Sequence, residues 1–232
     1  MITLEICTQS FQAAIHAYHG GAHRIELCTD LPIGGLTPNE KLIRKVCTEI
    51  NIPVFVLIRS RGGNFQYNES EINTMLHEIK RSIDSGANGI VCGALTDDFE
   101  IDLFALEKMI VASQGLPFTF HRAFEEVNDF YKSIDELIDL GVNRILTGGH
   151  RGDAYESRAE LAQLNKYAAG RITILAGSGV KSENVASILK ETQVREVHAS
   201  AKFGQFAANK DDPNDTNPDE VRRLITEILK FN

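Results

Sequence analysis

The chain has 232 residues, 43% of them hydrophobic, which is enough for one large core and fits one domain (1–232) better than two. Its 32 acidic against 24 basic residues give a formal charge of −8 with the positive charges scattered, which argues against nucleic acid or an anionic membrane surface as partner. Met1 leads into ITLEI without a basic flank or long apolar run, so neither export nor membrane insertion is expected, and the cytosol is the default compartment.

The first two predicted strands, ITLEIC (2–7) and RIELC (24–28), each carry Glu-apolar-Cys. Side chains at i and i+2 of a strand share a face, so Glu5 is expected beside Cys7 and Glu26 beside Cys28. Between them the first helix ends in HAYHGGAH; His16, His19 and His23 there suit a helix C-terminus and its dipole better than a metal. In the second helix, LIRKVCTEI, Cys47 falls in helical register with Leu42, Ile43, Val46 and Ile50 and reads as core. The third strand, PVFVLIR, runs into RSRGGN (59–64), where Arg59 and Arg61 sit beside a Gly pair whose N–H groups could form an anion-binding nest.

Helix SEINTMLHEIKRSID leads to strand GIVCG with Cys92, DLFALEKMIVA to PFTFHR with His121 and Arg122, and FYKSIDELIDL to RILTG with Thr147. The seventh strand, ITILAG, passes into AGSGVKSEN (176–184), where Gly177 and Gly179 precede a helix at a position that holds phosphate in many barrels. EVHAS, the eighth, brings His198 and Ser200, with Lys202 just beyond it expected in solvent. The polar, proline-containing stretch at 203–220 reads as a loop before the last helix, DEVRRLITEIL. GGAHRIEL, SGANGIVC and LGVNRILT repeat one junction, a helix-ending Gly followed by an apolar residue just before the next strand.

Eight successive βα units imply a parallel α/β sheet that removes its edges by closing into a (β/α)8 TIM barrel. An open doubly wound sheet competes, but no GxGxxG follows the first strand. Functional groups of a barrel gather where strands end, which sets the Glu-apolar-Cys pairs, the arginines and His121 on one rim. Carboxylates inside a barrel need partners, and strand order names Arg59 first and Arg122 second for Glu5 and Glu26. Four cysteines without CxxC spacing read as reduced thiols.

LEIC, RIELC with GGLTPN, RSRGGNF, GANGIVCGALT, FHRAF (120–124), RILTGG and GSGV occur in an order that resembles the CutC family of copper homeostasis proteins, from Met1 to about Lys202. The resemblance implies a (β/α)8 barrel, a cytoplasmic location, a homodimer and a role in handling copper. Cu(I) is soft and prefers thiolates, so its site would be built on Cys7 and Cys28, with Cys92 as a possible third ligand. Adjacent strands lie about 4.8 Å apart, within reach of one ion. A competing reading is a lyase- or isomerase-type enzyme acting on a small anionic phosphate or carboxylate. There Arg59, Arg61, Arg122, Gly177 and Gly179 would hold the negative group, and Glu26 or His121 would move a proton. Lys202 as a Schiff-base lysine is the weaker variant of that idea. In a third reading the chain is a scaffold whose rim groups satisfy one another.

Overall fold

The computed structural model describes residues 1–150, 152–202 and 215–231, so most of the expected 203–220 loop lies outside the described residues. The strands are β1 (Thr3–Thr8), β2 (Arg24–Leu27), β3 (Val54–Leu57), β4 (Gly89–Cys92), β5 (Phe118–Phe120), β6 (Arg144–Thr147), β7 (Thr173–Ala176) and β8 (Glu196–Ala199). They alternate with helices α1 (Phe11–Gly20), α2 (Glu40–Glu49), α3 (Glu69–Asp84), α4 (Leu103–Ala112), α5 (Phe130–Asp139), α6 (Arg158–Ala168), α7 (Val185–Thr192) and α8 (Pro218–Ile228). All neighbouring strands pair in parallel, and β8 returns to β1, closing the (β/α)8 barrel that the repeat of elements predicts.

Local chemistry fixes where helices begin and end, and therefore where each strand enters the barrel. Ser10 caps α1 by accepting from the Ala13 N–H, and the helix stops at Gly21, whose φ of +96° is open to glycine and costly for other residues. Asn68 and Glu71 form a reciprocal capping box on α3.

Pleat parity then sorts the strand side chains. Leu4 and Ile6, Ile25 and Leu27, Val54 and Val56, and Phe118 and Phe120 pack against the helical layer. The alternate residues fill the barrel: Cys7, Cys28, Phe55, Leu57 and Val91 form a separate apolar cluster there. Both faces of each strand are thus buried, which is why these segments are nearly all apolar or paired. Gly89 provides space for the interior, since a Cβ there would lie 2.6 Å from the Phe55 ring.

Parity also corrects one expectation. Val91 points inward, so Cys92 points to the helices, where its thiol lies 3.4 Å from the Met109 sulfur of α4. Burial pushes its pKa up to about 12, and it is a core residue with no place in the mouth. The Cys47 thiol is similarly raised, to about 11, by burial.

Candidate metal centre in the barrel mouth

A cavity of about 640 Å³ opens at the C-terminal end of the strands, with Cys7, Glu26, Cys28, His121 and His198 among its lining residues. The Cys7 and Cys28 sulfurs are 3.6 Å apart, and both residues are buried. This pair arises because β1 and β2 are adjacent and the inward positions of each end in a thiol; the register sets Cys7 opposite Glu26. Cys7, Glu26 and His198 each offer a donor atom, and these atoms all lie within 4.8 Å of one another.

Below the thiols lies a chain of alternating charge. Arg144 Nε donates to Glu196 at 3.2 Å, Glu196 also pairs with Arg24, and Arg24 Nε donates to Glu5 at 2.5 Å. His198 Nδ1 donates to the other Glu5 oxygen at 2.7 Å, while its Nε2 faces Glu26 at 3.6 Å. Both guanidinium groups lie over the Phe55 ring, Arg24 at 4.9 Å and Arg144 at 5.0 Å from its centroid. The partner expected for the carboxylates, Arg59, is therefore not their partner, and neither is Arg122. Arg24 opens RIELC two residues before Glu26, so the alternation that pairs Glu26 with Cys28 also carried the signal for Arg24. Arg144 and Glu196 on β6 and β8, and His198 as the link to Glu26, complete a network that strand-by-strand reading missed.

These contacts set the protonation states. Burial works against the Glu5 charge, but Arg24 and His198 overcome it and hold the carboxyl near 2. Burial also opposes the His198 cation, yet Cys7, Glu5 and Glu26 raise its pKa well above the usual imidazole value. Glu26 is pushed up, chiefly by burial, against the opposing pull of His198. The Cys7 thiol is raised by its hydrogen bond with Cys28 and by burial. His121 behaves in the opposite way to His198: burial and the Arg59 charge lower its pKa to about 3, leaving it neutral. Its Nδ1 accepts the Ala123 N–H at 3.2 Å, so Nε2 carries the proton, and that N–H has no partner among the described residues.

The residues suggested for anion binding separate. Arg59 donates to the carbonyls of Ile33 at 3.0 Å, Gly35 at 3.3 Å and Gly63 at 2.5 Å, and lies over Phe65. Arg61 pairs with Glu71 at 2.5 Å and donates to Asn64 and the Gln66 carbonyl. Both arginines thus hold the RSRGGN loop in shape. Arg122 lines the mouth, but its guanidinium grips Glu125 through two bonds of 2.8 and 2.7 Å. The Gly177 N–H donates to the Thr147 carbonyl. Gly179 stays on the rim and Lys202 is exposed there. The histidines near α1 are structural: His23 Nδ1 accepts the Leu4 N–H, and His16 contacts Gln12, the Thr216 carbonyl and Asp215.

Fold and site together define a TIM-barrel protein with a Cys/Glu/His group at its C-terminal rim that could hold a metal. The chain belongs to the CutC family, whose model matches residues 2–203. It is 43% identical over 199 residues to a CutC family protein of Histophilus somni, covering 86% of this chain and 82% of that one. It is also 40% identical to the human copper homeostasis protein cutC homolog, over 86% of this chain and 73% of that protein. The crystal structure of the CutC protein from Streptococcus agalactiae superposes with a TM-score of 0.82 at 38% identity, covering 86% of this chain and 99% of that one.

Proposed function

We propose that this protein handles Cu(I) as a cargo, received by the thiols of Cys7 and Cys28 in the barrel mouth. The observation that carries this reading is the 3.6 Å separation of two buried sulfurs at the base of an open cavity. Metal–sulfur bonds of about 2.3 Å allow two sulfurs on one ion to lie up to about 4.6 Å apart, so both fit one ion without strand movement. Glu26 offers a further donor beside Cys7, and the thiolates formed as protons are displaced suit a monovalent soft ion. Relatives named for copper homeostasis support the same reading. With four free cysteines, a reducing cytosolic setting agrees with it.

The reading treats the chain as one barrel domain that pairs as a homodimer. Phe104 and Val111, 71% and 74% exposed one heptad apart on α4, supply apolar surface for such pairing. Among the described residues no helix is long and apolar enough to cross a membrane.

The experiment is Cu(I) titration against a competing chelator, comparing the parent protein with the Cys7→Ser/Cys28→Ser variant. Loss of one equivalent of tight binding is the expected result; unchanged affinity and stoichiometry would place copper elsewhere.

A further inference from the structure

The copper reading uses two thiols and leaves a different set of donors unused. Cys7, Glu26 and His198 come from β1, β2 and β8, which are consecutive around the closed barrel. A sulfur, a carboxylate oxygen and a ring nitrogen there lie within 4.8 Å of one another, and the Cys28 sulfur is not part of that set. Strand register explains the convergence: Cys7 is opposite Glu26 across β1 and β2, and His198 is opposite Glu5 across β1 and β8. Cys7 and Glu26 are each 5% exposed, so the donors project from the barrel wall and not from loops.

The histidine is already oriented as a ligand. Glu5 accepts from His198 Nδ1 at 2.7 Å through one oxygen and is held by Arg24 through the other, which fixes the ring and leaves Nε2 as the coordinating atom. Metal-binding histidines almost always make this second bond to a carboxylate or carbonyl. Nε2 lies 3.6 Å from Glu26. Ligand atoms on tetrahedral zinc, bonded at about 2.0–2.3 Å, lie roughly 3.3–3.7 Å from one another. Charge then selects the ion. Thiolate, carboxylate and neutral imidazole sum to −2, which a divalent ion cancels, whereas a monovalent ion would leave a negative charge buried. Beneath them Arg144 and Arg24 balance Glu196 and Glu5, so the supporting network adds no net charge. A mixed sulfur, nitrogen and oxygen set suits zinc, while Cu(I) prefers sulfur.

We propose that Cys7, Glu26 and His198 form a Zn²⁺ site with three protein ligands and a fourth position open to the cavity. All three residues line that cavity, whose volume of about 640 Å³ falls within the range of small-molecule sites, roughly 300–1,000 Å³. Three protein ligands and one open position is the arrangement of catalytic zinc, not of structural zinc. On binding, the Cys7 thiol proton and the His198 Nε2 proton leave to solvent, and no electron is transferred. The site does not rest on the copper reading, but it shares Cys7 with it, so the two ions exclude each other.

The test uses the full chain, reduced and metal-free, titrated with Co²⁺ as the spectroscopic probe for zinc against a competing chelator, and then with Zn²⁺. One equivalent of Co²⁺ gives the visible bands of a tetrahedral ion and a sulfur-to-cobalt charge-transfer band, and Zn²⁺ removes both. Azide shifts the visible bands, because it enters the open position. Glu26→Gln and His198→Gln each weaken Zn²⁺ by about a hundredfold or more, and Glu26→Asp, which keeps a carboxylate, restores most of the affinity. If His198→Gln does not fold, the two Glu26 variants carry the test. Cys28→Ser keeps the cobalt spectrum and loses two-thiol Cu(I) binding, so failure of either reading leaves the other standing. Four results would each overturn the proposal: no binding at one equivalent, a cobalt spectrum without the charge-transfer band, bands insensitive to azide, or Glu26→Gln within threefold of the parent.

Discussion

Replacing Glu5 by Gln tests the charge chain at its centre. Glu5 is 1% exposed and serves Arg24 through one oxygen and His198 through the other. Its carboxyl is held near 2, against an ordinary value of 4.5. That interval corresponds to about 3 kcal/mol of native-state stabilisation. The folded value lies below the unfolded one, so the contribution is fully present above pH 4.5 and is lost as the pH falls toward 2. Gln keeps the shape but not the charge, leaving Arg24 with Glu196 alone. The expected loss in urea-unfolding free energy at pH 7 is about 3 kcal/mol, and at pH 3.5 the gap between parent and variant narrows by roughly half. A gap below about 1 kcal/mol at pH 7, or one equally large at both pH values, would refute the assignment of Glu5 as the ionised centre of the network.

Four further outcomes follow from named contacts. His121, lowered to about 3, stays neutral in the folded state while the unfolded chain takes up a proton below pH 6.5, so the parent loses stability on acidification. The slope of unfolding free energy between pH 5 and 6 falls by up to about 1.4 kcal/mol per pH unit in His121→Phe. Gly89→Ala places a methyl 2.6 Å from a Phe55 ring already in contact with two guanidinium groups, and a loss of about 1–3 kcal/mol in thermal unfolding is expected. Cys92→Ala leaves the Cu(I) stoichiometry unchanged, because that thiol faces α4, as the same chelator titration would show. Finally, since the Cys7 pKa is raised, Cu(I) affinity increases with pH by about tenfold per unit for each proton displaced, readable in titrations at pH 6, 7 and 8.

Much of this architecture is legible in the sequence because two periodicities suffice for it. The alternation in LEIC and RIELC gives the inward faces of β1 and β2, and the succession of strand and helix patterns counts the βα units. Cys92 was misplaced because GIVCG is apolar on both faces, so parity had no polar residue to anchor it. The Arg59 error has a different origin. Adjacency of strands says which residues share a rim, but not how far a long side chain reaches, and Arg59 turns into its own loop. Closure of the barrel brings β8 beside β1, and only that non-local pairing sets His198 against Glu5 and brings Glu196 to Arg24.

The charge chain also bears on how a thiol pair could take up a monovalent ion without leaving an unbalanced charge in the barrel. Arg144, Glu196, Arg24, Glu5, His198 and Glu26 alternate in sign, and Glu26, at the upper end beside Cys7, is the member whose acidity is weakened by burial. A monovalent cation that displaces one thiol proton leaves the net charge of the site unchanged. If it displaces both, the site becomes one unit more negative, and a buried uncompensated charge costs several kcal/mol. Glu26 can take up the second proton, because its raised pKa favours the neutral form and it lies within 4.8 Å of the Cys7 donor atom. The fixed groups beneath would then remain ionised, with His198 still clamped by Glu5. Glu26→Gln removes that acceptor while preserving the volume, so in unbuffered titrations it should release one more proton per Cu(I) than the parent protein; equal proton release would show that Glu26 takes no part.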